Sequence, residues 1–245
     1  MANIEIKDLS YRRGEFSVHI PSLIIGEGEK VALMGENGCG KSTLINLLTG
    51  LIEPVKESVF YQGEALEKIA HSKRATLFSV LPQFSDISFP FTVAEVALLG
   101  RFVHLRSSEF QQQDKDKTLQ LLELLDLAQY KARSFSELSG GEKRRVMIAR
   151  VLNQEAPIVF LDEPNASLDI RHTLEIFSHL QQLPQTVITS VHDVNLAYRY
   201  FDRFLFFKNG RLRFDVQRDE VTAQLLSEVY DVSVATDTNS FSFCP

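Results

Sequence analysis

The run LMGENGCGKSTLINLLTG, residues 33–50, constrains the fold more than any other part of the chain. Apolar residues lead into Gly35, Gly38 and Gly40, then Lys41 and Ser42, then regularly spaced leucines. Glycines carry no side chain, so backbone N–H groups can turn inward around an anion. Lys41 adds a compensating charge, and Ser42 a hydroxyl suited to Mg²⁺. Leu44, Leu47, Leu48 and Leu51 fall at i, i+3, i+4 and i+7, which predicts a helix directly after the loop with Gly50 as its stop. The positive end of that helix faces the anion. Upstream, KVALMG reads as a buried strand. Strand, glycine loop and helix stand in the order that phosphate binding needs, and the chain is expected to bind a nucleoside triphosphate.

Composition narrows the class. The 245 residues, 44% hydrophobic and 24% charged, suit a globular fold with a sizeable core. No stretch reaches the ~18–20 apolar residues of a membrane-spanning helix. The start, MANIEIKDLSY, lacks the basic and apolar regions of a secretory signal. Cys39 and Cys244 make no disulfide framework, which fits a reducing cytoplasm. A net charge of −6 argues against a nucleic-acid partner.

NIEIKDL and EFSVHI alternate apolar with polar residues, as half-exposed antiparallel strands do. ESVFYQG reads as a strand ending at a Gln-Gly turn, and TLFSVLPQ as a strand stopped by Pro82. Thr92 and Glu95 have the spacing of a capping box. Leu119, Leu121, Leu122, Leu124, Leu125 and Ala128 predict a helix with a broad apolar face. Residues from roughly 85 to 155 therefore read as mostly helical. Strands return with APIVFLD, TVITSVH and DRFLFFKNGRLRF, the last a hairpin around Asn209-Gly210. This alternation predicts an α/β fold with a mostly parallel sheet flanked by helices.

Two further stretches carry chemistry. In APIVFLDEPNASLD an apolar strand ends at Asp162 and Glu163, where α/β folds place ligands. Asp162 suits Mg²⁺, and Glu163 is placed to polarise a water attacking a γ-phosphate. In ELSGGEKRRVMIARVL, Ser139 and Glu142 have capping-box spacing around Gly140 and Gly141. That helix opens with bare backbone and free N–H groups, which again suit an anion. Val146, Ala149 and Leu152 can face a core, with Lys143, Arg144 and Arg145 near the helix start. A second phosphate-contacting loop in a one-nucleotide domain points to a neighbour's phosphate. His172 and His179 can share a helix face and read as a solvated pair rather than a metal site.

The chain resembles the ATP-binding cassette (ABC) ATPases along essentially its whole length. GENGCGKST resembles the Walker A loop, LSGGE the family signature and IVFLDEP the Walker B strand. Gln83 in VLPQ fits the Q-loop, Asp169 in SLD the D-loop and His192 in SVHD the switch histidine. Tyr11 lies where the family places an aromatic against adenine, although an aromatic on a strand also simply packs. The resemblance implies one P-loop NTPase domain over 1–245. Residues 1–84 and 156–245 would form the nucleotide-binding core with an N-terminal antiparallel β part, and 85–155 an inserted helical signature subdomain. It implies ATP and Mg²⁺ as cofactors. Glu163, His192 and Gln83 would be catalytic, and Tyr11, Gly35, Asn37, Gly38, Cys39, Gly40, Lys41, Ser42 and Thr43 nucleotide-binding. Ser42, Gln83 and Asp162 would hold Mg²⁺. Ser139, Gly140, Gly141 and Glu142 would serve the ATP of a partner copy, next to Asp169.

FTVAEVALLGRF, HDVNLAYRYFDRFLFFKNGRL and VTAQLLSEVYDVSV resemble the cassettes of bacterial importers for iron–siderophore complexes, haem and cobalamin. In that subgroup a helix and a short strand close the chain. This implies a homodimer, cytoplasmic and peripheral on the inner face of the membrane. Integral-membrane permease subunits and, indirectly, a substrate-binding protein would be its partners. The aromatic FSDISFPF beside Gln83 is the candidate docking face. Two departures stand out: Glu57-Ser58 where the family has a glycine before a strand, and Asn165 where it has threonine or serine. Import of a metal ion such as zinc or manganese remains an alternative. A soluble ABC ATPase is another, but it would carry paired cassettes or a coiled-coil insertion, which this sequence lacks.

Overall fold

The alternating N-terminal pattern forms a long antiparallel ladder of β1 (Ala2–Arg13) against β2 (Phe16–Gly26), burying Ile4, Ile6, Leu9, Val18 and Ile20. A computed structural model of the chain describes residues 2–83, 87, 89–105, 109–237 and 240–244. Next, β3 (Lys30–Met34) is buried throughout, and α1 (Lys41–Thr49) follows the glycine loop. The helix stops at Gly50, which is left-handed with φ 70°. Leu44, Leu47 and Leu48 are buried, but Leu51 lies past this stop and is 64% exposed. Next, β4 (Val59–Tyr61) turns into β5 (Glu64–Ala65) through Gln62 and Gly63, both at positive φ.

The chain then runs through α2 (His71–Leu77), β6 (Phe78–Leu81), α3 (Val93–Leu98), α4 (Gln112–Leu124), α5 (Gly140–Asn153), β7 (Ile158–Asp162) and α6 (Ile170–Gln182). Residues 71–182 form one compact unit, with β6 and β7 paired in parallel. Thr76 and Leu77, read with the strand, finish α2 instead. Thr92 caps α3 as its spacing predicts: its hydroxyl accepts the Glu95 N–H, and the Glu95 carboxylate accepts the Thr92 N–H at 2.7 Å. Helix α4 departs from expectation. Of the predicted apolar face Leu122 and Leu125 are buried and Leu119, Leu121 and Ala128 half-buried, but Leu124 is half exposed, and the helix also buries Asp114 and Thr118. Polar partners explain the change. Arg101 Nε donates to Asp114 at 3.0 Å, and Arg101 Nη1 to Glu155 at 2.7 Å. Asn153 donates to Thr118 at 2.8 Å. A buried carboxylate needs such partners, because breaking the pair would leave an uncompensated buried charge.

Residues 1–70 and 183–245 form the other unit. Its later elements are β8 (Thr186–Ser190), α7 (Val194–Tyr200), β9 (Arg203–Lys208), β10 (Arg211–Gln217), α8 (Ala223–Tyr230), β11 (Ser233–Asp237) and β12 (Ser240–Cys244). Its strands run in the order β5-β4-β1-β2-β10-β9-β3-β8. Pairing is antiparallel from β5 to β2 and between β9 and β10, and parallel in β9-β3-β8. Asn209 and Gly210 make the β9–β10 turn at φ 51° and 72°. The chain closes on a helix and a two-stranded hairpin, β11 against β12, where one short strand was expected. The α/β class with an antiparallel N-terminal part is as the sequence implies. Leu33 of β3 pairs with Ser190 of β8, so the glycine loop and His192 leave the sheet along the same edge.

Candidate functional site

The glycine loop is held open by backbone that side chains would block. Gly35 sits at φ 132°, and a Cβ there would lie 2.2 Å from the Phe207 carbonyl oxygen. Lys41, 5% exposed, folds across the loop: its Nζ donates to the Gly35 carbonyl at 2.7 Å and the Glu36 carbonyl at 2.9 Å. Gly40 is the N-cap of α1 at φ 116° and supplies no side-chain cap. The first N–H groups of the helix therefore point into the loop together with its dipole. Ser42 and Thr43 stand half-buried in that first turn, while Asn37 and Gly38 are exposed at the loop tip. Cys39 is buried, and burial pushes its thiol pKa above the ordinary range.

A cleft of about 270 Å³ opens beside the loop, lined by residues that include Phe16, Asn37, Gly38, Cys39 and Gly210. The hairpin turn supports it, since the Gly210 N–H donates to the Cys39 carbonyl at 3.0 Å. Tyr11 is half-buried on β1 opposite Val18 and does not line the cleft; Phe16 does. No motif in the sequence marks Phe16. Its signal was the period of two on β2, which puts it on one face with Val18, and both flank Gly40. His192 is exposed beyond β8, and the next residue, Asp193, caps α7 by accepting the Leu196 N–H at 3.0 Å.

In the unit of residues 71–182, Asp162 ends β7 and is 4% exposed. Glu163 follows at φ 49°, a left-handed conformation that costs an L-residue about 1–2 kcal/mol. Its carbonyl accepts the Ala166 N–H at 3.0 Å, and its carboxylate accepts from Gln83 Nε2 at 3.1 Å. Arg144, read from sequence only as a basic residue near a helix start, is 7% exposed. Its guanidinium donates to the carbonyls of Pro82, Gln83, Asp162 and Glu163.

Ser139 caps α5, its hydroxyl accepting the Glu142 N–H at 3.3 Å while Glu142 accepts the Ser139 N–H at 2.8 Å. The Ser139 hydroxyl and N–H hold the Glu142 carboxyl below its usual pKa. Gly141 is required by close approach, since a Cβ there would stand 2.7 Å from the Ser167 carbonyl oxygen. Asp169 accepts the His172 N–H at 2.9 Å and His172 Nδ1 at 2.8 Å, and these bonds lower its pKa. His172 is thus not one of a solvated pair: its side chain is 17% exposed, and Nε2 lies 3.7 Å from Asp126. A cavity of about 570 Å³ joins Ser139, Gly140, Gly141, Arg145, Asp169 and His172. Among the described residues no group of three or more His, Cys, Asp or Glu side chains forms a metal cluster. Of the aromatic stretch after Gln83, Phe84, Ser85, Asp86 and Ser88 lie outside the described residues. Phe89 is 69% exposed with its ring 5.9 Å from that of Phe91.

The family model described as ABC transporter matches residues 18–166, well over half of the chain. The chain belongs to the ABC transporter family. As an ABC ATPase it binds and hydrolyses ATP. It is 42% identical over 195 residues to the hemin import ATP-binding protein of Gloeobacter violaceus, covering 76% of this chain and 70% of that protein. It is 35% identical over 222 residues to a cobalamin import ATP-binding protein of Halobacterium salinarum, covering 88% of this chain but only 55% of that relative. Among solved structures, an ABC cassette dimer in a post-hydrolysis state bound to ADP and Pi superposes with a TM-score of 0.77. The two share 25% identity, over 88% of this chain and 98% of that one.

Proposed function

We propose that this chain is the ATP-hydrolysing subunit of a bacterial importer for an iron–siderophore complex, haem or a cobalamin-type substrate. The observation that carries this reading is the 42% identity to a hemin import ATP-binding protein over three quarters of the chain. The subunit would work on the inner face of the membrane beside separate permease subunits. No described helix is long and apolar enough to cross a membrane. The glycine loop would cradle the phosphates through backbone N–H groups and Lys41, with an aromatic of the β1–β2 ladder against the base. Ser42, Asp162 and Gln83 would hold Mg²⁺, because hydroxyl, carboxylate and amide oxygens are the hard donors it prefers, and the ion would neutralise phosphate charge. Glu163 would take the proton of the attacking water. His192 would sense the γ-phosphate. Purified with the neighbouring permease in lipid, the chain should hydrolyse ATP faster when the loaded haem- or siderophore-binding protein is added. An ATPase rate indifferent to every such substrate, and a chain that does not co-purify with the permease, would remove the importer assignment.

Two copies would enclose two ATP molecules, each between one glycine loop and the other copy's Ser139-Gly140-Gly141. The solved post-hydrolysis cassette that this chain superposes on is a dimer. A dimerisation assay separates this arrangement from a signature acting in cis. In a Glu163→Gln background, ATP should drive dimer formation. Adding Ser139→Arg should abolish the dimer by bulk and loss of the cap. Monomer affinity for ATP should change by less than about tenfold, ~1.4 kcal/mol. Light scattering and calorimetry on the same samples decide it, and loss of monomer binding in a folded Ser139→Arg protein would place the signature in cis.

A further inference from the structure

We infer that Arg144 is a positioning residue that locks the Q-loop and the catalytic strand end to the signature helix as one body. Its planar guanidinium lies between two chain segments that are distant in sequence. Nη1 donates to the Pro82 carbonyl at 2.9 Å and to that of Gln83 at 3.3 Å. Nη2 donates to the carbonyls of Asp162 and Glu163, the latter at 2.8 Å. An arginine has five N–H donors. Four of them go to carbonyls flanking the Gln83 and Glu163 side chains, and the fifth, on Nε, has no partner among the described residues. A buried donor left unmet is unfavourable, so the terminal nitrogens set where this side chain sits. No other cation type can do this: a lysine ammonium offers three donors around one point and cannot bridge two pairs of carbonyls in a plane.

The clamp acts where the backbone needs help. Glu163 is left-handed at φ 49°, and its carbonyl is one of the four that Arg144 holds. Gln83 in turn donates to the Glu163 carboxylate at 3.1 Å, so both partners of that bond hang from backbone pinned by one side chain. Arg144 starts five residues after Ser139, on the helix whose first turn is the signature. A shift of that helix therefore pulls on Gln83 and Glu163 together. The burial of Arg144 lowers its pKa, opposed by the nearby Asp162 and Glu163, yet an arginine remains charged in any working range. The inference rests on the reading of Glu163 as general base, and it adds a means by which engagement of the signature adjusts that base.

The test uses the full chain. In Arg144→Lys, kcat for ATP hydrolysis should fall at least tenfold, and up to the ~10²-fold that a small misplacement of a catalytic group produces. KM and ATP affinity should stay within about threefold. Amide hydrogen exchange, read by mass spectrometry, should rise together in residues 80–83 and 161–166 while the core of α5, residues 146–152, keeps its protection. Arg144→Gln serves as a second variant should the lysine protein fold poorly. Normal kcat in either folded variant, or exchange that rises in only one of the two segments, overturns the clamp. The exchange result does not depend on what Glu163 does chemically. If Glu163→Gln leaves hydrolysis intact, the base assignment fails by itself, and the paired rise in exchange still decides whether Arg144 joins the two segments.

Discussion

Glu163→Gln is expected to slow ATP hydrolysis by ~10²–10⁴-fold, the range for loss of a general base, while ATP binding persists. The change is close to isosteric, and the amide oxygen can still accept from Gln83 Nε2, which now stands 3.1 Å from the carboxylate. The left-handed backbone at Glu163 is set by the turn to Ala166 and by Arg144, neither of which uses the carboxylate. What disappears is the group able to take a proton. Phosphate release under saturating ATP measures the rate, and titration calorimetry the binding. Turnover within a few fold of the unaltered protein would remove Glu163 from the role.

Lys41→Ala should cost ATP affinity on the order of 10²-fold, ~3 kcal/mol, the value of a charge-assisted contact to buried phosphate. Lys41 lies 5% exposed within the loop, its Nζ 2.7 Å from the Gly35 carbonyl, so its charge is fixed inside the loop. The same substitution frees the carbonyls of Gly35 and Glu36, and the loop should loosen without unfolding the chain, because α1 keeps Leu44, Leu47 and Leu48 in the core. Calorimetry on a sample with an unchanged melting transition gives the answer. Wild-type affinity would show that Lys41 serves only its own loop.

Capping boxes at Thr92 and Ser139, the hairpin at Asn209-Gly210, the stop at Gly50 and the strand–loop–helix around Lys41 were all legible. Each depends on residues within a few positions of one another, where backbone preference and side-chain reach act without the rest of the fold. The leucines of α4 misled in part, for the opposite reason. Periodicity marks which residues can share a face, but whether that face meets leucine or an Arg101–Asp114 pair depends on what packs against it.

The sequence by itself determined the strand, glycine loop and helix around Lys41, the Ser139 cap, the paired acids at the end of β7 and the α/β class, since these are patterns of spacing. Only the tertiary structure decided that Phe16, not Tyr11, lines the cleft beside the loop, that His172 holds Asp169, and that Arg144 holds Gln83 and Glu163. Arg144 reaches carbonyls 61 and 62 residues earlier in the chain and 18 and 19 later. Backbone carbonyls are present at every residue, so no residue type marks such an acceptor in advance. Folding alone brings them within reach of one guanidinium.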